Sequence, residues 1–359
     1  MARDIIMDTE TKKIAIGCDA EAPSEGSFCG VTKGENMTVG EMSDGWISCN
    51  VRGFVRESSL ANYYNNLSHI KRHLGRCRAG NVDKQAVQRF VSELLNDVGL
   101  APITVRGIII TLSSVFKCMV EDGILAKNPC IKLKLPEIIE KEIKVFTKHE
   151  QERLERSILS GKDYRELGVL ICLYTGLRLG ELCALKWDCI NFKTRMMQVR
   201  ASVGRVKDFS LNAKAKTRIA EGEPKTKKSK RWIPLPHFLC DILKQLKART
   251  QSEYVLPSKA DNTTPLQPRT MQHVYRRLMC RAKLSYVNFH TLRHTFATRS
   301  VELGSDIKSL SEMLGHSNVL ITMNRYAHSL LEQKQRAMAF MNAFWQKKRT
   351  RIESIRAIF

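Results

Sequence analysis

Apolar residues recur three and four positions apart through most of this chain, and the first 36 residues are where they do not. A first short helix is expected around Trp46 and Ile47. Leu60, Tyr63, Tyr64, Leu67, Ile70 and Leu74 then trace one face of a helix that ends at Gly75. Asp83 is placed to cap the next, whose face is Val87, Phe90, Val91, Leu94, Leu95 and Val98, with Gly99 after it. Thr104 is expected to cap a third, running through Val105, Ile108, Leu112, Val115, Phe116 and Met119 and ending before Gly123. Stripes of this kind bury against one another, so residues 37–136 read as a small all-helical domain.

The stripe is lost over residues 128–146, which hold Pro129, Pro136 and the charged run PEIIEKEIK; the linker proper is placed at 137–146. Thr147 and Glu150 have the spacing of a capping box and open a second, larger domain over 147–346. Leu167, Leu170, Ile171 and Tyr174 form its first stripe, ending in Thr175-Gly176, and a short helix follows through Glu181, Leu182 and Leu185. Residues 196–203 and 231–235 are strand-like. Between them, residues 205–231 hold ten bases and three acids, too basic for a core and too long for a tight turn, so an extended β-hairpin with a basic tip is expected. Helices are expected at about 238–248, 270–283, 291–303 and 306–314, with one or two more to Trp345 and a basic C-terminal tail over 347–359. The fold class is therefore mainly α with a small antiparallel β-sheet.

Charge sharpens this picture. Among 359 residues there are 59 Lys and Arg against 36 Asp and Glu, a formal charge of +23, which favours a polyanionic partner and above all nucleic acid. The excess begins after residue 36: residues 1–36 carry seven acids and four bases and read as a tail or small separate module, with a short strand around 13–16. The helical domain carries thirteen bases against eight acids, with Lys71, Arg72 and Arg76 near one helix end as candidate phosphate contacts. No run of eighteen apolar residues is present and the N-terminus lacks a signal-peptide pattern, so a cytoplasmic protein with no membrane partner is expected. Eleven cysteines without a C-x-x-C suit a reducing compartment and no structural metal; Cys172, Cys183 and Cys189 lie in or beside apolar stretches and read as small hydrophobes.

The candidate chemistry gathers between residues 290 and 326. His290 and Arg293 are one helical turn apart, His316 follows a Leu-Gly pair, and Tyr326 lies ten residues further on. Arg178 follows the Thr-Gly turn upstream, and Lys225 lies in the basic stretch. These groups suit a phosphodiester attacked by a phenol. Tyr326 is the candidate nucleophile, Arg178 and Arg293 the candidate ligands of the non-bridging oxygens, His290 and His316 further phosphate contacts, and Lys225 the candidate acid for the leaving 5′-oxygen. Each residue alone has a plainer reading. Arg178 can simply pair with Glu181, Tyr326 can be a half-buried core residue, and His316 can sit at a helix end for the dipole. Lys225 competes with Lys227, Lys228 and Lys230, themselves candidate DNA contacts. A metal-dependent nuclease would need clustered carboxylates, which the sequence does not offer.

The local contexts of these residues together resemble the tyrosine recombinase (phage integrase) family. TGLRLGELCALKWDCI matches that family's first box and assigns Arg178 with Glu181 as its acidic companion. PKTKKSKRWIPLP matches the hairpin-lysine segment and selects Lys225; HTLRHTFAT assigns His290 and Arg293; the Leu-Gly-His turn assigns His316; and NRYAH assigns Tyr326. The resemblance covers about residues 37–345 and implies a helical core-binding domain plus a mixed α/β catalytic domain clamped on double-stranded DNA. It implies strand cleavage and rejoining through a 3′-phosphotyrosyl intermediate, without metal or other cofactor, in a homo-tetramer on synapsed DNA. A C-terminal helix would dock on a neighbouring protomer, here through Phe340, Met341 and Phe344. Integration or excision of a mobile element, with an accessory directionality factor, is the expected role. A chromosome-dimer or plasmid resolvase, or a non-enzymatic DNA-binding protein on the same fold, is the alternative. Residues 1–36 are short and acidic for an arm-binding domain, and the stretch 204–222 is longer than simpler members carry, which points to a contact with DNA or a neighbouring subunit.

Overall fold

The computed structural model describes residues 37–139, 143–208, 217–222, 230–259, 261–316, 318–325, 335 and 338–346. The expected strand at 13–16 and the tail over 347–359 lie outside the described residues. The chain divides into two compact units, Met1–Ile138 and Ile139–Phe359.

The first unit is helical among its described residues. Helix α1 (Val39–Trp46) opens on a capping box in which the Thr38 hydroxyl accepts from the Glu41 amide and the Glu41 carboxylate accepts from the Thr38 amide at 2.9 Å. Its end widens into a π-helical turn over Ile47–Val51. Helix α2 (Glu57–Leu74) and helix α3 (Lys84–Asn96) follow, the latter capped by Asp83, which accepts from the Ala86 amide at 2.7 Å. Helix α4 (Pro102–Glu121) begins before the expected cap at Thr104. Pro102 occupies the first turn, where an N–H would have had no intrahelical partner, so Thr104 lies within the helix. Met42, Ile70, Phe90, Leu94, Ile108, Leu112, Phe116 and Met119 form the buried core. Helix α4 is long and apolar enough to cross a membrane by length and composition, but here its apolar face is that core. Beyond α4 the chain returns to the unit: the Gln88 side chain bonds both backbone groups of Lys134 at 3.0 Å, and Arg106 donates to the Pro136 carbonyl at 2.9 Å.

The second unit opens with helix α5 (Lys148–Leu159) on the Thr147–Glu150 capping box. Helix α6 (Leu167–Thr175) is buried from Gly168 to Leu173, on every side, as an apolar helix at the centre of a core must be. Cys172, Cys183 and Cys189 are buried with it, and burial pushes the Cys183 thiol up to about 12, so these cysteines are unreactive packing groups. Helix α7 (Leu179–Cys183) leads to strands β1 (Ile190–Asn191), β2 (Met196–Val199), β3 (Ser202–Lys207), β4 (Thr217–Gly222) and β5 (Arg231–Pro234). Helices α8 (His237–Ala248), α9 (Pro268–Arg281), α10 (Thr291–Glu302), α11 (Ile307–Leu314) and α12 (Val319–Arg325) complete the unit, and residues 338–346 are helical with exposed side chains.

The single strand expected over 196–203 is instead two strands in two sheets. β2 pairs antiparallel with β5, Val199 opposite Arg231 and Met196 opposite Pro234, in the order β1-β2-β5. β3 turns away at Arg200 and pairs with β4, Ser202 opposite Gly222 and Lys207 opposite Thr217. β4 has no buried residue along its length, and its antiparallel pairing with β3 agrees with the extended hairpin expected over the basic stretch 205–231.

The Asp83 cap supplies one of the two ends of α3. Asp83→Ala is expected to cost the helical unit about 1 kcal/mol. The measurement is loss of hydrogen-exchange protection at the first-turn amides of α3 together with a lower urea midpoint for that unit. Unchanged protection there would contradict the capping role.

Candidate active site

The site is assembled around the end of α11. That helix stops because Gly315 takes a left-handed conformation at φ 64°, and a helix end leaves its last carbonyls without intrahelical partners. Three consecutive carbonyls here receive three arginines. Arg231 Nε donates to Met313 O at 2.5 Å, Arg293 Nη2 to Leu314 O at 2.5 Å, and Arg178 Nη2 to Gly315 O at 3.2 Å. Positive charge thereby collects at the negative end of the helix dipole. Gly315 is favoured by its φ, and a Cβ there would also stand tight against Arg231, 3.0 Å from its Cδ.

Glu181 joins two of these arginines. Arg231 donates to both carboxylate oxygens, at 2.8 and 3.1 Å, and Arg178 donates to Oε1 at 2.8 Å. The Arg178 amide donates to Oε2 at 3.0 Å, so the carboxylate also caps α7. Exposure separates the members: the Glu181 and Arg231 side chains are 3% and 5% exposed, that of Arg178 37%. Burial pulls the Glu181 carboxyl upward, but hydrogen bonding to Arg231 and the charges of Arg231 and Arg178 outweigh it and hold the group at about 2. The plain reading of Arg178, an ion pair one turn along with Glu181, is therefore present in the structure, embedded in a larger arrangement.

Arg293 is 2% exposed, and its guanidinium spans α6 and α11 by donating to Gly176 O at 2.8 Å as well as to Leu314 O. Gly176 has φ 65°, and a Cβ on it would meet Phe296 of α10 at 2.6 Å. This close approach lets α10 lie against the end of α6. His290, at the N-cap of α10, is exposed and stands edge-on to His294 with ring centres 4.6 Å apart. Although one helical turn apart, the two residues differ in access: His290 is exposed and Arg293 is buried.

His316 directly follows Gly315 and is half-buried, with its Nδ1 2.8 Å from the Thr322 hydroxyl of α12. When Thr322 donates this bond, the proton of the neutral ring sits on Nε2, where it can be offered to a phosphate oxygen. Thr322 is wholly buried, and its hydroxyl ties His316 to α12.

The structure thus gathers Arg178, Glu181, Arg293 and His316 about one turn, with His290 at the start of the helix that carries Arg293. Lys225, Lys227, Lys228 and Tyr326 lie outside the described residues, as do residues 209–216 of the long hairpin stretch. The segment holding Lys225 leaves β4 next to Glu221, which accepts from the Tyr254 hydroxyl at 2.8 Å, and re-enters at β5 through Arg231. Lys230 is exposed at that re-entry. In the helical unit Lys71 is paired with Asp44, while Arg72 and Arg76 are exposed at the end of α2. Sequence reasoning missed Arg231 and Thr322. Arg231 is one cation among ten in a basic stretch, and nothing in its spacing marks it as buried.

Replacing Glu181 tests the electrostatics. Glu181→Gln keeps the shape but leaves the buried Arg231 without its counter-charge, with an expected loss of about 3–5 kcal/mol. A depressed carboxyl contributes stability that is complete above the ordinary glutamate value of 4.5 and lost as pH falls toward about 2. Unfolding free energies of the two proteins should differ most near neutrality and converge across that acid window. A pH-independent difference would contradict the assignment.

The family model for the phage integrase family matches residues 144–333. The chain is 30% identical over 352 residues to a protein named tyrosine recombinase XerC-like from Caldanaerobacter subterraneus, covering 90% of this chain and 89% of that one. It is 24% identical to the ICEBs1 integrase of Bacillus subtilis, over 78% of this chain and 77% of the relative. Among solved structures it is similar to the Tn1549 transposon integrase in complex with a circular intermediate DNA, with a TM-score of 0.71 at 21% identity, covering 84% of this chain and 99% of that one. A lambda integrase dimer bound to a core site gives a TM-score of 0.64 at 17% identity, covering 81% and 95% of the two chains. With the family model spanning more than half of its length and a relative aligned along nine-tenths of it, this chain belongs to the phage integrase family of tyrosine recombinases.

Proposed function

We propose that this chain integrates or excises a mobile element, with Tyr326 attacking a DNA phosphodiester to form a 3′-phosphotyrosyl bond. As a family member the chain is a site-specific recombinase that cleaves and rejoins DNA. The observation that carries the assignment of residues is the arginine-ringed end of α11, which holds Arg178, Arg293 and His316 around one turn. Arg178, the more exposed arginine, takes a non-bridging oxygen directly. Arg293 contributes its charge from beneath, where low polarisability strengthens it. His316 and His290 add hydrogen bonds to the same phosphate. Lys225, on the segment between β4 and β5, protonates the departing 5′-oxygen, and a later 5′-hydroxyl reverses the attack.

The mobile-element role is supported by relatives named ICEBs1 integrase and transposase from transposon Tn916. Assembly as a tetramer is supported by the helical residues 338–346, where Phe340, Met341 and Phe344 are 76%, 62% and 66% exposed and offer an apolar stripe to a second copy. An accessory directionality factor would bias excision over integration. Lys71, Arg72, Arg76, Lys227, Lys228 and Lys230 are proposed phosphate contacts, Lys71 by exchanging its Asp44 partner for DNA.

Tyr326→Phe is expected to bind attachment-site DNA with wild-type affinity and to form no covalent adduct with a nicked suicide substrate. An adduct formed by that variant would sink the nucleophile assignment. Binding should weaken by roughly 10³-fold between about 50 and 200 mM salt if six or more phosphates are contacted. An affinity that holds steady in a titration over that range would contradict broad phosphate contact.

A further inference from the structure

We propose that Arg231 is a positioning residue for strand cleavage, a buried guanidinium that cancels the charge of Glu181 and so leaves the charge of Arg178 available to the DNA phosphate. The proposal rests on the function argued above and deepens it, since Arg231 touches no reacting atom.

Three features support it. The first is reach. The Arg178–Glu181 pair is local, three residues apart, and by itself does not fix where Arg178 points relative to other elements. Arg231 comes from 50 residues away to bind both oxygens of Glu181, and it bonds Met313 O across a separation of 82 residues. Its stem packs over Gly315, the residue before His316. One side chain therefore ties the helix that carries Arg178, the turn that carries His316 and the strand that follows the Lys225 segment. Only arginine can do so, because a planar fork engages the carboxylate while Nε points to a separate acceptor.

The second feature is charge. Arg178 and Glu181 alone would sum to zero, and an incoming phosphate would meet a neutralised arginine. With Arg231 added, two guanidiniums among the described residues face the Glu181 carboxylate, and these three side chains together carry a net positive charge. That charge resides at the surface end, because Arg178 is 37% exposed and Arg231 only 5%. The third is anchorage. Arg231 lies opposite Val199 in the β2–β5 register, so the strand that follows the Lys225 segment starts from a fixed post.

The test uses the full chain and a nicked suicide substrate, with adduct formation rate, DNA affinity and thermal midpoint read for each variant. Arg231→Met is expected to bind DNA within about threefold of wild type and to cleave roughly a hundredfold more slowly, the scale of a misplaced reacting group. Adding Glu181→Gln to Arg231→Met should recover about tenfold of the cleavage, because the amide no longer cancels Arg178. A purely structural role for Arg231 predicts a recovery that only tracks the thermal midpoint, since Glu181→Gln also removes a buried carboxylate left without Arg231. Recovery of cleavage beyond any recovery of the midpoint supports the charge role, and recovery that merely follows the midpoint overturns it. Arg231→Lys retains the cancelling charge and should cleave within about tenfold of wild type. If Arg231→Met does not fold, Arg231→Lys carries the test, and adding Glu181→Gln to it should then give no gain. Wild-type cleavage by a folded Arg231→Met, or no recovery in the double variant, would overturn the proposal. Tyr326→Phe in the same assay keeps the two claims apart: an adduct in that lane indicts the nucleophile, not Arg231.

Discussion

The second unit depends on how one helix end is satisfied. Helix α11 exposes carbonyls that have no partner within the helix, and three guanidiniums from β5, α10 and the start of α7 fill them in succession. Each arginine brings its own element with it. The contact is directional, because a carbonyl accepts along its lone pairs, and it is long-ranged in sequence, because each arginine lies 21 or more residues away. Hydrophobic burial places α6 at the centre of the unit but does not orient the polar groups at its end. The capped end of α11 supplies that orientation.

Buried charge is a costly way to hold a fold together, and an apolar cluster in place of Arg231 and Glu181 could be as stable. An ion pair is retained where its geometry or its field is used. Here the field is asymmetric: the carboxylate and one guanidinium are buried, the other guanidinium reaches solvent, and the balance is positive toward the surface. Arg293 adds a further positive charge from below. Such fixed charges need no reorganisation when negative charge develops at phosphorus, and that is the property required for stabilising a pentacoordinate phosphate.

Much of the architecture was legible beforehand because it rests on local rules. The Thr147–Glu150 box, the Asp83 cap and the stripes of α2, α3 and α4 follow from spacing alone. The Arg178–Glu181 pair was readable as an ordinary helix-start ion pair and is one. Where the reading slipped, a local signal was absent or was outranked. Pro102 displaced Thr104 at the start of α4, and the strand expected over 196–203 is two strands, β2 and β3, in different sheets. Arg231 and Thr322 were invisible because each acquires its meaning from a partner in another element, Glu181 in one case and His316 in the other.

By itself the sequence determined the element order, the basic character, the division into a helical part and a mixed part, and the residue types needed at a phosphodiester. These follow from periodicity, composition and motif context, which are properties of short windows or of the whole chain. Only the tertiary structure decided that Arg178, Arg231 and Arg293 converge on three consecutive carbonyls, that Arg178 faces solvent while Arg293 does not, and that Glu181 answers to two arginines. The physical reason is that a helix end can be satisfied by any donor that packing brings within hydrogen-bond reach. Which donors arrive is set by contacts between segments far apart in the chain, and no single window of sequence contains them.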